Sequence, residues 1–244
     1  MSKPKLNRIL LKISGESFKG DRESGIDPKS IQYMANEIKT VVELGIEIGV
    51  VVGGGNIWRG AEAEKEGMDR ATADYAGMLA TIINAVALQD SLERKYSIDT
   101  RTQSAITVQQ IAEPYIRRKS IRHLEKKRVV VFAAGTGNPH MTTDTAASLR
   151  AIEIEAELLL MAKYGVDGVY SEDPRINKNA KKFNNISYQD ALTKKLKIMD
   201  STALALCMDN DLPLVVFDMF KKGNLKGILT GNKNGTLLSN NNIF

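Results

Sequence analysis

Two basic side chains, a few aspartates and three glycine-rich turns hold most of the chemistry this chain could do. Gly135-Thr136-Gly137-Asn138-Pro139-His140-Met141-Thr142-Thr143-Asp144 follows the strand-like run Val129-Val130-Val131-Phe132-Ala133 and precedes an apolar helical segment starting near Thr145. Glycines let backbone N–H groups approach a ligand with no Cβ in the way. Threonines add hydroxyl donors, and a helix N-terminus attracts anions. Two further junctions repeat the arrangement: Lys12-Ile13-Ser14-Gly15-Glu16-Ser17 leaves a strand over Arg8–Ile13, and Gly53-Gly54-Gly55-Asn56 leaves another over Glu47–Val52. One such turn is equally well a structural turn. Three of them, with Lys12 and Arg59 alongside, predict one crevice outside the carboxyl ends of strands, built for a phosphorylated ligand.

The chemistry that is absent narrows the reading. There is no G-x-x-x-x-G-K-[ST], no G-x-G-x-x-G after the first strand, and no H-E-x-x-H, G-x-S-x-G, H-R-D or D-F-G. With one cysteine and two histidines, no Cys/His metal cluster can be assembled. His123 sits on a basic helical stretch and reads as solvent-facing. His140 lies in the long loop with no carboxylate partner in view. What remains is lysine, arginine, glycine amides and aspartate, the equipment of phosphoryl transfer, which needs charge neutralisation and alignment more than covalent catalysis. A phosphate acceptor is already deprotonated near neutral pH, so no general base is required.

These residues need a frame. The chain has 244 residues, 43% of them hydrophobic, enough for one large α/β unit. Its net charge of +5 is mild and spread out; the densest basic run, Arg117 to Arg128, is helical, broken by Glu125 and free of interleaved aromatics, so it reads as a solvated face and not as a nucleic-acid surface. Cys207 lies in an apolar helical stretch and reads as a buried small hydrophobe. Met1 to Lys5 carry no long apolar signal, and no run is expected to approach membrane-spanning length. A reducing cytoplasm is the expected home.

Strand and helix patterns alternate throughout, which predicts a mostly parallel sheet covered on both faces. Pro28 opens a helix that Gly45 ends. A long helix runs from about Asp69 to Arg94, and its apolar residues spread wider than one stripe, as in a buried or interface helix. Ile98 to Arg101 is a short strand, Pro114 to Lys127 a helix, Thr145 to Glu157 a helix and Leu158 to Ala162 a strand. Gly165 to Tyr170 suits a hairpin, Ser171 to Pro174 a turn, and Asn177 to Asn185 a polar loop. Tyr188 to Leu196 and Asp200 to Asp209 are helices; Pro213 to Phe217 and Thr236 to Leu238 are strands. Residues 1–244 are expected to form one domain with two lobes.

At this level of detail the chain resembles the bacterial uridylate (UMP) kinases of the amino acid kinase superfamily. The resemblance rests on Lys12-Ile13-Ser14-Gly15-Glu16, Gly53 to Gly60, Gly67-Met68-Asp69-Arg70, Ala73-Asp74, Gly77 to Thr81, the loop Gly135 to Asp144, Val166 to Tyr170 and Asp173-Pro174, in order over nearly the whole chain. It implies a three-layer α/β/α fold, transfer from Mg²⁺-ATP to UMP in pyrimidine nucleotide synthesis, activation by GTP, inhibition by UTP, and a homohexamer paired through the helix from Asp69. The N-terminal part would hold the acceptor and the C-terminal part ATP.

The resemblance also implies residue roles. Lys12, Arg59, Asp144 and Asp200 would be catalytic: Lys12 bridges the transferred group, Arg59 neutralises phosphate and Asp144 organises Lys12 and the metal-bound phosphates. For Asp200, capping of a helix N-terminus is an equal explanation. Lys12, Ile13, Ser14, Gly15, Gly55, Arg59, Tyr164, Tyr170 and Asp173 would contact ATP. Gly54, Asp74 and Thr136, Gly137, Asn138, Pro139, His140, Met141, Thr142 and Thr143 would contact UMP, with Asp74 accepting from the ribose hydroxyls. Mg²⁺ would be held through the nucleotide phosphates. Gly20, Asp21, Arg22, Glu23, Ser24 and Gly25 align with a segment linked to GTP activation. The chain departs from the family at His140-Met141, where two aromatics are usual; this bears on packing under the pyrimidine and not on the phosphate chemistry.

Overall fold

The aliphatic run Arg8–Ile13 forms β1, and its neighbours in the middle of the sheet are built from the same kind of sequence: β2 (Glu47–Val52), β5 (Val129–Ala133) and β6 (Leu158–Lys163). All are buried along nearly their full length, as parallel strands between two helix layers must be. The computed structural model describes residues 6–174, 176–196 and 198–240; the reading of Met1 to Lys5 lies outside them. The remaining strands are β3 (Thr100–Ser104), β4 (Glu113–Pro114), β7 (Asn185–Ile186), β8 (Leu214–Asp218) and β9 (Thr236–Leu238). One nine-stranded sheet runs β4-β3-β5-β2-β1-β6-β8-β9-β7. Every pairing is parallel except β8 with β9.

Helices cover both faces. On one side α2 (Pro28–Glu43), α4 (Arg70–Asp90) and α9 (Asn224–Leu229) bury Met34, Ile38, Met78, Ile82 and Leu225 against Ile9, Leu11 and Val50. On the other, α5 (Arg117–Glu125), α6 (Thr143–Glu153), α7 (Tyr188–Thr193) and α8 (Ser201–Asp209) bury Leu124, Ala147, Tyr188 and Cys207 against Leu10, Val130 and Met161. The expected three-layer α/β/α arrangement is the one observed. Local signals set the helix ends: Asp27 caps α2 through Ser30 N with Pro28 at the first position, and Asp69 caps α4 through Thr72 N.

Several expectations need correction. Pro114 does not start a helix. With no N–H to donate, it lies in the edge strand β4, and α5 begins at Arg117. β3 is shifted to Thr100–Ser104 because its register is set by pairing with β5, from Thr100 opposite Val129 to Ser104 opposite Ala133. Gly165 to Tyr170 forms no local hairpin; Tyr170 makes one antiparallel bridge to Lys182. The helix expected from Thr145 begins two residues earlier, and Glu155, at φ +59°, lies beyond its end. The helix from Tyr188 stops at Thr193, and Lys195 lies beyond it at φ +50°. The short helices α1 (Glu16–Lys19) and α3 (Gly60–Lys65), together with α9, β4 and β7, were not expected.

His123 is not solvent-facing. It is 8% exposed on the sheet side of α5, where Nε2 lies 3.0 Å from Glu113 Oε2 and Nδ1 lies 3.2 Å from Arg128 Nη1. A guanidinium can only donate, so Nδ1 accepts and Nε2–H donates to Glu113. The helical run Arg70–Lys95 is long and apolar enough, by length and composition, to cross a bilayer, which corrects the expectation that no segment has that length. One face of it packs into the core, with Ala73, Met78, Ile82, Ala85 and Leu88 buried.

Candidate active site

The first two glycine turns are built against each other. Gly53 N donates to Ile13 O at 2.9 Å, closing the ends of β1 and β2 together. A Cβ on Gly15 would stand 2.3 Å from Gly55 N and 2.9 Å from Asn56 N, and a Cβ on Gly54 would stand 2.9 Å from Gly77 O of α4. These glycines are needed for the close approach of backbone to backbone. Gly15→Ala is therefore expected to cost about 1–3 kcal/mol of stability and to separate the two turns. Urea denaturation of the variant checks this, and an unchanged midpoint would mean that the turns have room to part.

A buried amide pair fixes the second turn from behind. Asn84 on α4 donates to Gly53 O (2.7 Å) and Asn56 Oδ1 (2.7 Å), while Asn56 donates to Asn84 Oδ1 (3.0 Å) and Gly25 O (2.8 Å). Gly25 N in turn donates to Asn56 O at 2.8 Å. The segment Gly20 to Gly25 is thus tied directly to the Gly53 to Asn56 turn. In the sequence Asn56 is legible only as the end of the turn, and Asn84 carries no signal of this role.

Lys12 is the penultimate residue of β1, and strand alternation sends it to the α6 side with Leu10. Its ammonium lies 2.6 Å from Asp144 Oδ1, with the two side chains 7% and 16% exposed. Asp144 comes from the first turn of α6, capped by Thr142 Oγ1, which accepts from Asp144 N and Thr145 N. Burial acts to raise the Asp144 carboxyl, but the charges of Lys12 and Lys163 and the hydrogen bond from Lys12 outweigh it and hold the group below the usual carboxylate range. Lys163, at the end of β6, was not singled out in the sequence. It carries the signal that marked Lys12: a lysine closing an otherwise apolar strand.

Beside this pair a cavity of about 190 Å³ is walled by Gly54, Gly55, Trp58, Asp74, Met78, Thr81, Thr136, Asn138, Met141 and Thr143. Asp74, Met78 and Thr81 share one face of α4, at the i, i+4, i+7 spacing. Tyr75 points away: it is 47% exposed and is not part of the lining. Asp74 Oδ2 accepts from Arg70 Nε at 2.9 Å and from His140 N at 2.7 Å, so α4 holds the loop. Among the described residues no donor is bonded to Oδ1. Thr81 Oγ1 accepts from Ala134 N at 2.7 Å and anchors the start of that loop; Trp58 is fixed by its Nε1–H to Ala73 O at 2.9 Å. Neither Thr81 nor Trp58 had been identified as a site residue.

The other expected residues lie at varied distances from this centre. Arg59 is half-exposed at the rim, where it pairs with Glu16 and Glu62 and donates to Gly55 O at 3.2 Å. Asp200 caps α8, accepting from Ala203 N at 2.9 Å, and also takes the hydroxyls of Thr142 and Thr145. It therefore braces the N-terminus of α6, which presents Asp144. Tyr164 stands half-exposed with its ring edge-on to Phe220 at 5.0 Å. The Tyr170 hydroxyl donates to Asp167 Oδ1 at 2.6 Å, and the Asp173 carbonyl accepts from Asn177 N at 2.9 Å. Both lie in the segment that follows β6.

The amino acid kinase family model matches residues 7–218. Among solved structures, the UMP kinase of Bacillus anthracis is 39% identical, with a TM-score of 0.94 and 97% of each chain covered. The UMP kinase of Ureaplasma parvum is 41% identical, with a TM-score of 0.90 and coverage of 96% of this chain and 99% of that one. The uridylate kinase of Archaeoglobus fulgidus is 24% identical at a TM-score of 0.71, covering 95% of this chain and 99% of that one, and speaks to the fold alone.

Proposed function

This chain belongs to the amino acid kinase family, and from that membership we propose that it transfers the γ-phosphoryl group of ATP to UMP, giving ADP and UDP, in pyrimidine nucleotide synthesis. The observation that carries the reading is the Lys12–Asp144 pair opening beside a cavity that ends on the Asp74 carboxylate. A half-buried carboxylate in the cavity wall suits neutral hydroxyl donors such as those of a ribose. It would repel a small carboxylate or carbamate acceptor, which favours a nucleotide within a family of diverse acceptors.

In this mechanism Lys12 stabilises the negative charge that leaves the attacking acceptor oxygen and builds up across the transferred group to the donor bridging oxygen, and Asp144 keeps the ammonium aimed. The backbone amides of Ser14, Gly15 and Gly55 line the donor phosphates. Gly54 and the loop from Thr136 to Thr143 enclose the acceptor. Arg59 would exchange its carboxylate partners for phosphate. Tyr164, Tyr170 and Asp173 would receive the adenosine part, and Asp200 holds the Asp144 helix. Mg²⁺ would enter with ATP and spread the phosphate charge. Asp144 is committed to Lys12, and no group of three or more His, Cys, Asp or Glu residues able to hold a metal stands among the described residues.

Asp74→Ala is expected to raise the KM for UMP far more than that for ATP. Loss of hydrogen bonds to a charged group weakens ground-state binding by about 1.5–3 kcal/mol. Initial-rate kinetics in both substrates check it, and an effect confined to ATP would mean that the acceptor site has been misassigned.

Regulation and assembly belong to the same proposal. GTP activation would act through Gly20 to Gly25, whose two hydrogen bonds to Asn56 connect it to the phosphate turn, with UTP opposing it. Tyr75, Leu79, Ile83 and Val86 form one stripe on α4, exposed by 47%, 52%, 51% and 40%. Such a patch on a free monomer would be an aggregation liability, and pairing of α4 within a homohexamer would cover it. Light scattering should therefore give a mass well above 26.9 kDa; a single-chain mass at micromolar concentration would contradict this. A cytoplasmic location completes the reading.

A further inference from the structure

β1 and β6 are adjacent and parallel, with Lys12 opposite Met161. Opposed residues point to the same face of a sheet, and so does the residue two further on. Lys163 therefore projects on the same side as Lys12, one step nearer the crevice, toward the face that α6 covers and from which Asp144 reaches down. Three charges meet there: two ammoniums and one carboxylate. Asp144 is bonded to Lys12, and among the described residues no carboxylate lies within 4 Å of the Lys163 ammonium. Asp218, its register partner on β8, turns its Oδ1 to the backbone N–H of Phe220 at 2.9 Å. The cluster carries one positive charge more than it balances, in a largely buried place where an unbalanced charge is costly.

We propose that Lys163 is a second phosphate-binding residue of the site, contacting the donor phosphates of ATP beside Lys12, whose ammonium Asp144 holds, so that the two ammoniums form a cradle. This deepens the kinase reading and rests on it. Burial lowers the Lys163 ammonium below the usual lysine range, and Lys12 lowers it further against the opposing pull of Asp144. An incoming phosphate removes that penalty, so the anion is bound where the empty site is least satisfied. The position also fits the chain path. Lys163 is followed at once by Tyr164 and the segment to Asp173, whereas Lys12 leads into the Gly15 turn against Gly55. The two lysines thus approach the crevice from adjoining strands, Lys163 from the strand that feeds the proposed adenosine-binding segment.

The test is Lys163→Met and Lys163→Arg beside the wild-type enzyme, read by steady-state kinetics in both substrates, direct binding of ATP and of UMP, and melting of the unliganded protein. Lys163→Met should lower kcat/KM for ATP by roughly tenfold to a hundredfold with UMP binding within about twofold of wild type. Lys163→Arg should restore most of the loss, since it keeps the charge. The unliganded Lys163→Met protein should melt no lower than wild type, because a cation facing another cation has been removed. Wild-type ATP kinetics in Lys163→Met, an equal loss of UMP binding, or a lower melting point with no recovery in Lys163→Arg would each overturn the proposal. If Lys163→Met did not fold, ATP kinetics of Lys163→Gln would decide in the same way. Absence of ATP-dependent turnover in the wild type would instead sink the kinase reading, and is distinguished by the parallel wild-type assay.

Discussion

Lys12→Met is expected to lower kcat by roughly a hundredfold or more while leaving the fold and the binding of both nucleotides largely intact. Two features of the structure support this division. The ammonium is buried against Asp144 at the end of the central strand, so its position is fixed before substrates arrive. Its charge is needed most where phosphoryl oxygens gain charge during transfer, so the loss falls on the chemical step more than on ground-state binding. Removing a partner from a buried ion pair usually leaves a costly charge behind. Here Lys163 remains to face Asp144, and severe unfolding is not expected. Stopped-flow or steady-state turnover with parallel binding of UMP and ATP checks the claim. A near-wild-type kcat would remove Lys12 from its role, and lost binding of both nucleotides would make it a structural residue.

UMP is expected to be preferred over CMP by roughly 10⁴-fold in kcat/KM. Uracil presents an N3–H donor between two carbonyl acceptors, whereas cytosine presents an acceptor at N3 and an amino donor at C4. A loop whose backbone is held by Thr81 at Ala134 and by Asp74 at His140 offers polar groups in fixed positions. Cytosine would leave some of them unpaired, and buried unpaired groups are expensive. Met141 lines the cavity, and an apolar contact to the base face does not distinguish the two pyrimidine edges. Competing UMP and CMP in one reaction reads the ratio. A ratio under tenfold would mean that base recognition does not reside in this loop.

The parts of the fold legible in the sequence were those whose local pattern and final environment agree. Arg8–Ile13, Glu47–Val52 and Val129–Ala133 are aliphatic because both faces are covered, and their observed bounds are those expected. Asp69 begins α4 and Pro28 begins α2 for capping reasons that need no tertiary context. β3 was misplaced because Thr100-Arg101-Thr102-Gln103-Ser104 has no apolar signature. Its buried polar groups find their partners only in the fold, as when Ser120 of α5 donates to Gln103 Oε1 at 2.5 Å, and Thr102 Oγ1 finds none among the described residues. His123 was misread for the same reason: its partner Glu113 comes from an edge strand hidden behind a proline. Lys12 and Asp144 were legible as types at suggestive positions, but their pairing across 132 residues is a property of sheet order. Lys163 needed the β1–β6 register before its side could be known.

If the crevice accepts a pyrimidine nucleoside monophosphate as phosphoryl acceptor, acceptor-dependent ADP release will report it. The assay runs with ATP, Mg²⁺ and, separately, UMP, CMP, aspartate, acetylglutamate and carbamate. Rapid ADP release is expected with UMP alone, slow release with CMP and none above background with the three small acids. Turnover with any of the acids at a rate matching UMP, or no acceptor-dependent release with UMP, would contradict it.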